Sequence, residues 1–159
     1  MLRHLLPLLF FVPLPAIAMP ATVVSVGDGY TFIAKRNSAW SVIRLGCIDV
    51  PEMSQQPYGM MAANRLKTLL PVGSKIDLRR ITVDRHDRIV AEVTTGKTLV
   101  NLQLVKEGLA VAHSQYFWGC PDSRNLYLEA EQKAKSNRLG IWRQNPVCLP
   151  ENFRKKLCT

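Results

Sequence analysis

Two stretches of this 159-residue sequence gather side chains able to do chemistry. Ile43 to Glu52 reads I-R-L-G-C-I-D-V-P-E and carries Arg44, Asp49 and Glu52; Val83 to Val90 reads V-D-R-H-D-R-I-V and carries Asp84, Arg85 and Arg88. A carboxylate can hold a hard cation or take a proton from water, and the planar arginine fork fits phosphate oxygens in pairs. Each residue alone also has a structural reading. Arg44 fits an edge arginine whose stem covers apolar surface, Asp49 a turn former before Pro51, Glu52 a solvated loop charge, and Arg88 a surface partner for Asp84 or Asp87. A third stretch, V-G-D-G-Y-T-F at 26–32, sets Asp28 between two glycines. Asp28 is either the polar tip of a hairpin or half of a metal site whose second acid is missing.

The elements that must position these residues follow from periodicity. Between Thr22 and Cys47 the apolar residues come in short alternating runs, Val24 and Val26, then Phe32 or Ile33, then Ile43, Leu45 and Cys47, which predicts three strands. Turns fall at 27–29 and 36–38. Pro57 suits a first helical turn, and Ala62, Ala63, Leu66, Leu69 and Leu70 recur at helical spacing up to Pro71 and Gly73. Two strands follow, near Lys75–Arg79 with Ile76 and Leu78 inward and near Arg88–Val93. A short helix runs from Asn101 to Gly108. A final helix opens at Asp122 or Ser123, carries Leu126, Ala130 and Ala134 one turn apart, and stops at Gly140. Three strands, a helix, two strands and two more helices is the chain order of an α+β fold, a five-stranded OB-type barrel with about three helices. Such barrels often bind oligonucleotides or oligosaccharides across one face.

Length predicts one domain. Residues 1–18 read as a cleaved leader: Arg3 and His4 precede an apolar run from Leu5 to Pro15, and Ala16-Ile17-Ala18 supplies the small residues of a cleavage site. The run is too short and too rich in proline for a membrane span, so none is expected in the mature form. The domain then occupies 19–159, with a short tail from about residue 143. Losing Arg3 lowers the formal net charge of +9 by one, to +8. A field of that sign attracts polyanions, nucleic acid or an anionic membrane surface. Cys47, Cys120, Cys148 and Cys158 are even in number and contain no C-x-x-C pair, which favours disulfides over zinc. Three connectivities are open; a short loop closed by Cys148 and Cys158, leaving Cys47 with Cys120, is preferred.

Six blocks in order, S-V-G-D-G-Y-T-F, I-R-L-G-C-I-D-V-P-E, Q-P-Y-G-M-M-A, D-R-H-D-R-I-V-A, V-N-L-Q-L-V-K-E-G-L-A and A-E-Q-K-A-K-S-N-R-L-G-I-W, resemble the staphylococcal nuclease (thermonuclease) family from Ala21 to Trp142. The resemblance implies an exported monomeric nuclease that hydrolyses DNA or RNA, preferably single-stranded, with Ca2+. It places Arg44, Glu52 and Arg88 as catalytic residues, Asp49 and the backbone carbonyl of Val50 as calcium ligands, and Asp28 as an acid reaching the ion through water. Asp84, Arg85 and Tyr116 fall on nucleotide contacts, while His86 and Ser114 stand where the type member has tyrosines. The family's turn usually reads D-G-D-T, and here Tyr30 replaces the second acid, a direct calcium ligand. Two apart on an extended segment, Asp28 and Tyr30 are expected to face one side, giving a site one negative charge short and an activity that is reduced but real. The alternative is an OB-type module that binds nucleic acid without cutting it. A metal-free ribonuclease working through two histidines would have to use His86 and His113, neither of which has a recognisable catalytic setting.

Overall fold

The computed structural model describes residues 18–158, so the leader expected over 1–18 falls, apart from Ala18, outside them. The elements in chain order are β1 (Met19–Val26), β2 (Thr31–Arg36), β3 (Ala39–Leu45), β4 (Ile48–Asp49), α1 (Tyr58–Leu69), β5 (Lys75–Val83) and β6 (Ile89–Thr95). After them come β7 (Thr98–Leu99), α2 (Val100–Lys106), β8 (Val111–Ala112), α3 (Arg124–Ser136) and α4 (Pro150–Arg154), with 3-10 turns at Ser114–Gly119 and Gly140–Arg143. Strands β3, β2, β1, β5 and β6 pair antiparallel in that order, and a parallel pairing of β3 with β6 closes the five strands into a mixed barrel. The expected α+β barrel is therefore the fold.

Alternation builds the core. Phe32 and Ala34 of β2, Ile43 and Leu45 of β3, Ile76 and Leu78 of β5, and Ala91 and Val93 of β6 all point inward and are buried. Helix α1 packs Ala62 and Leu66 against them, and α2 packs Leu104 and Val105. In β1 the inward residues are Ala21 and Val23, the opposite phase to the Val24 and Val26 alternation expected above. A bulge between Val23 and Ser25 changes the phase, so Val26 still packs at the edge of the core.

In α3 the buried face is Tyr127, Ala130 and Ala134; Leu126, expected one turn from Ala130, is 49% exposed. The tyrosine wins the inward position because it brings both a large ring and a hydroxyl to a buried acid. Its ring stacks on Phe117 at 6.2 Å, and its hydroxyl donates to Glu92 Oε1 at 2.6 Å. Arg79 Nε donates to the other carboxylate oxygen at 2.7 Å. Asn101, also fully buried, ties the end of β3 to β6: Nδ2 donates to the carbonyls of Gly46 and Ala91, and Oδ1 accepts the N–H of Val93. The chain therefore leaves β3, just past Arg44, from a fixed point. Of the three possible connectivities, the preferred one, Cys47–Cys120 with Cys148–Cys158, is formed.

Candidate active site

Arg44 takes its place from the pleat of β3. With Ile43 and Leu45 turned into the core, it must project from the other face, between Thr31 on β2 and Val90 on β6. The chain then turns at Gly46-Cys47 and forms β4, whose two residues pair with β8. That pairing sets Asp49 beside Val111, and leaves it only 5% exposed, with Val50 buried next to it. Glu52 follows, half-buried, its backbone carbonyl accepting the N–H of Gln55 at 2.8 Å.

Gly59, in the first turn of α1, presses against this loop. A Cβ there would lie 1.9 Å from the carbonyl oxygen of Glu52, so only glycine allows the helix to sit so close. Gly59→Ala is expected to push the Glu52 loop away from α1 and to cost about 1–3 kcal/mol of stability. Urea denaturation measures the loss; an unchanged midpoint would show that the loop moves freely.

Arg88 comes from the turn between β5 and β6. Asp84 holds the turn and the arginine together. Its Oδ1 accepts the N–H groups of His86 and Arg88, and its Oδ2 accepts Arg88 Nε at 2.7 Å. Burial pushes the Asp84 carboxyl up, but the His86 N–H and the Arg88 guanidinium and N–H outweigh it and hold the group below the usual carboxylate range. Asp84 thus aims Arg88 by gripping one edge of its guanidinium, and Arg88 lines the same cleft as Arg44.

That cleft, about 620 Å³, brings together Tyr30, Arg44, Asp49, Val50, Glu52, Arg85, Arg88 and Tyr116 from four separate parts of the chain. A neighbouring groove of about 510 Å³ shares Arg44, Arg85, Arg88 and Tyr116 and continues past Asp84 to Ile81 and Trp118. Tyr116 and the 66% exposed Trp118 offer flat aromatic faces beside arginines, the combination on which unpaired bases stack.

The expectation that Asp28 and Tyr30 face one side assumed an extended segment. Residues 28–30 form a bend rather than an extended run, so the period-two expectation does not apply to them. Tyr30 lines the cleft, with the Arg44 guanidinium carbon 5.7 Å from its ring centre. Burial raises the pKa of its phenol, the charges of Glu52 and Asp28 raise it further, and Arg44 and Arg88 only partly offset them, so the hydroxyl stays neutral. Asp28 instead braces its own turn: Oδ1 accepts the N–H of Tyr30 at 2.9 Å, the N–H of Thr31 at 2.6 Å and the Thr31 hydroxyl at 2.8 Å.

Trp118 and Arg154, in or beside the cleft, were not anticipated as part of the site, and His113, weighed above only for a two-histidine ribonuclease, lines it as well. His113 lies on β8's exit, its ring 4.5 Å from that of Tyr116. Burial lowers its pKa, more than Asp49 and Glu151 raise it, so it is neutral at neutral pH. Arg154, in α4, makes a bidentate pair with Asp49, Nη1 to Oδ1 at 2.9 Å and Nη2 to Oδ2 at 2.7 Å, and its Nη1 also reaches Glu52 Oε1 at 3.1 Å. The sequence signal for it was N-F-R-K-K enclosed between Cys148 and Cys158, a basic run tethered at both ends.

Among the described residues no three His, Cys, Asp or Glu side chains converge as a metal site. The donor chemistry nonetheless suits a hard cation in a modest way. Asp49 and Glu52 are oxygen donors facing one point, and the guanidinium of Arg154 already serves there as a stand-in cation.

Comparison with known proteins places this geometry in context. A family model described as staphylococcal nuclease homologue matches residues 42–144. An uncharacterized endonuclease of Haemophilus influenzae is 33% identical over 133 residues, covering 84% of this chain and 70% of that protein. A micrococcal nuclease of Shigella flexneri is 32% identical over 142 residues, covering 84% and 79%. A thermonuclease of Staphylococcus intermedius is 33% identical over 127 residues, covering 76% and 74%. The chain spans about half the length of the fungal relatives it matches. Arg44, Asp49, Glu52, Asp84 and Arg88 lie inside the family match, whereas Asp28, Tyr30 and Arg154 lie outside it.

Proposed function

Because the chain belongs to the staphylococcal nuclease family, we propose that it is an exported, calcium-dependent nuclease that hydrolyses phosphodiester bonds of DNA or RNA, favouring single strands, and acts as a monomer. The observation that carries this reading is the convergence of Arg44, Glu52 and Arg88 on one open, basic cleft beside Asp49.

Phosphodiester hydrolysis requires a positioned water, neutralisation of the growing charge on the phosphoryl oxygens, and geometry close to in-line. Arg44 and Arg88 approach the cleft from β3 and from the turn before β6, so a phosphate held between them is gripped from two directions. Asp84 fixes the angle of Arg88. Glu52 takes a proton from the water as its oxygen attacks phosphorus; the bond to the departing oxygen breaks, and that oxygen collects a proton from solvent. Arg85 and Tyr116, with Asp84 behind them, bind the neighbouring nucleotide, Tyr116 by stacking. Calcium, when bound through the Asp49 carboxylate and the Val50 carbonyl, with Asp28 reaching it through water, would polarise the same phosphate as a Lewis acid.

Export is supported by the leader pattern and by two formed disulfides, which persist in oxidising compartments. The division into a leader at 1–18 and a domain from 19 onward belongs to the same proposal. Among the described residues no helix is long and apolar enough to cross a membrane. Incubating mature protein with single-stranded DNA and RNA tests the function. Cutting supports the nuclease, and retention without cutting would identify the binding module instead.

Tyr30 predicts a limit on calcium use. A neutral phenol stands where a second acid would add a charged ligand, and ligand charge tunes calcium affinity over decades. Tyr30→Asp is expected to tighten calcium binding about tenfold, as measured by calorimetric titration. No gain would show that Tyr30 does not stand in a vacated ligand position.

A further inference from the structure

We infer that Arg154 is a tethered guanidinium that competes with the divalent cation for Asp49 and holds Glu52 in the same grip, so that the C-terminal segment sets the cation concentration at which the site opens. The inference rests on the calcium reading above and adds a residue that lies beyond the family match, which ends at 144.

The geometry sets the two occupants in competition. Asp49 is nearly buried, and Arg154 takes both of its carboxylate oxygens. Each oxygen keeps a second lone pair, but the guanidinium sets a positive charge against the carboxylate, so a divalent cation drawn to Asp49 meets charge repulsion until the arginine moves away. The same Nη1 that engages Asp49 also engages Glu52. Releasing the arginine therefore frees the metal ligand and the general base in one movement.

The arginine is delivered rather than dangling. The Cys148–Cys158 bridge closes the segment over a separation of only 10 residues, with α4 between. Gln55 Nε2, from the loop that follows Glu52, donates to the carbonyl of Cys148 at 2.9 Å, and Pro150 is buried at the start of α4. These contacts keep the guanidinium at high effective concentration over Asp49, which favours re-closure after each release. Charge points the same way. Asp49 and Glu52 are the carboxylates that line the cleft, and a monovalent guanidinium balances Asp49 more closely than a divalent ion does.

Arg154→Gln removes the competing charge and keeps a polar side chain at the exposed C-terminal end of α4. Calorimetric titration with calcium chloride is expected to show affinity at least about tenfold tighter than wild type, because a site closed most of the time binds in proportion to its open fraction. Thermal unfolding gives a second readout. In chelator the variant should melt lower than wild type, since Asp49 is left buried without a partner, and saturating calcium should remove the deficit. If Arg154→Gln fails to fold, Arg154→Lys, which keeps the charge without the bidentate fork, should show the same tightening to a smaller degree. Equal or weaker calcium affinity in the variants overturns the inference while leaving the calcium reading intact. Absence of calcium binding in wild type and variants alike overturns both.

Discussion

Replacing Glu52 with glutamine is expected to lower the rate of phosphodiester cleavage by about a hundredfold to ten-thousandfold while the protein stays folded. The amide has the shape of the acid but cannot accept the proton that the attacking water must lose. Glu52 sits half-buried at the cleft, outside the core cluster, and its carboxylate accepts a hydrogen bond from Arg154. The substitution therefore removes a base without opening a cavity. Circular dichroism and single-turnover cleavage measured together separate the two effects. An unchanged spectrum with a near-wild-type rate would remove Glu52 from the reaction.

Arg44→Ala and Arg88→Ala are each expected to lower the rate by about a hundredfold to a thousandfold, the range seen when one preorganised charge-stabilising donor is deleted. The two differ in what a lysine could restore. Arg88 is aimed by Asp84 through Nε, an atom lysine lacks, so Arg88→Lys loses its anchor as well as its fork and should remain close to the alanine variant. Among the described residues Arg44 has no such tether; it lies over the Tyr30 ring, a contact a lysine can partly reproduce, so Arg44→Lys should recover part of the rate. Kinetic constants for the four variants at saturating calcium check the pattern. Full activity in Arg88→Lys would show that Asp84 does not position the arginine for the reaction.

Much of this architecture was legible before the coordinates. The strands came from alternation around Phe32, Ile43, Ile76 and Leu78, all of which are inward, and α1 came from Ala62, Ala63 and Leu66 with the stop at Pro71. Arg44, Asp49, Glu52 and Arg88 stand together because β3, β4 and the turn before β6 meet at one end of the barrel. What escaped was tertiary. The bulge in β1 reverses which residues face inward, and no local pattern announces it. Tyr127 rather than Leu126 is buried because Glu92, thirty-five residues away, needs its hydroxyl. Asp28 was read on an extended segment, but 28–30 form a bend in which its Oδ1 accepts three hydrogen bonds from its own turn. Arg154 reaches Asp49 across 105 residues, a contact made by the fold and the second disulfide rather than by spacing.

The central claim, that this cleft cuts nucleic acid through Glu52 with help from a divalent cation, is tested most directly by one titration. Single-turnover cleavage of a single-stranded DNA is followed in wild type and Glu52→Gln as calcium is raised from chelator to saturation. The account predicts a wild-type rate that climbs with calcium and reaches a plateau, with Glu52→Gln staying at least about a hundredfold below it at every concentration. Wild-type cutting that is undiminished in chelator, or that Glu52→Gln matches at the plateau, would contradict it.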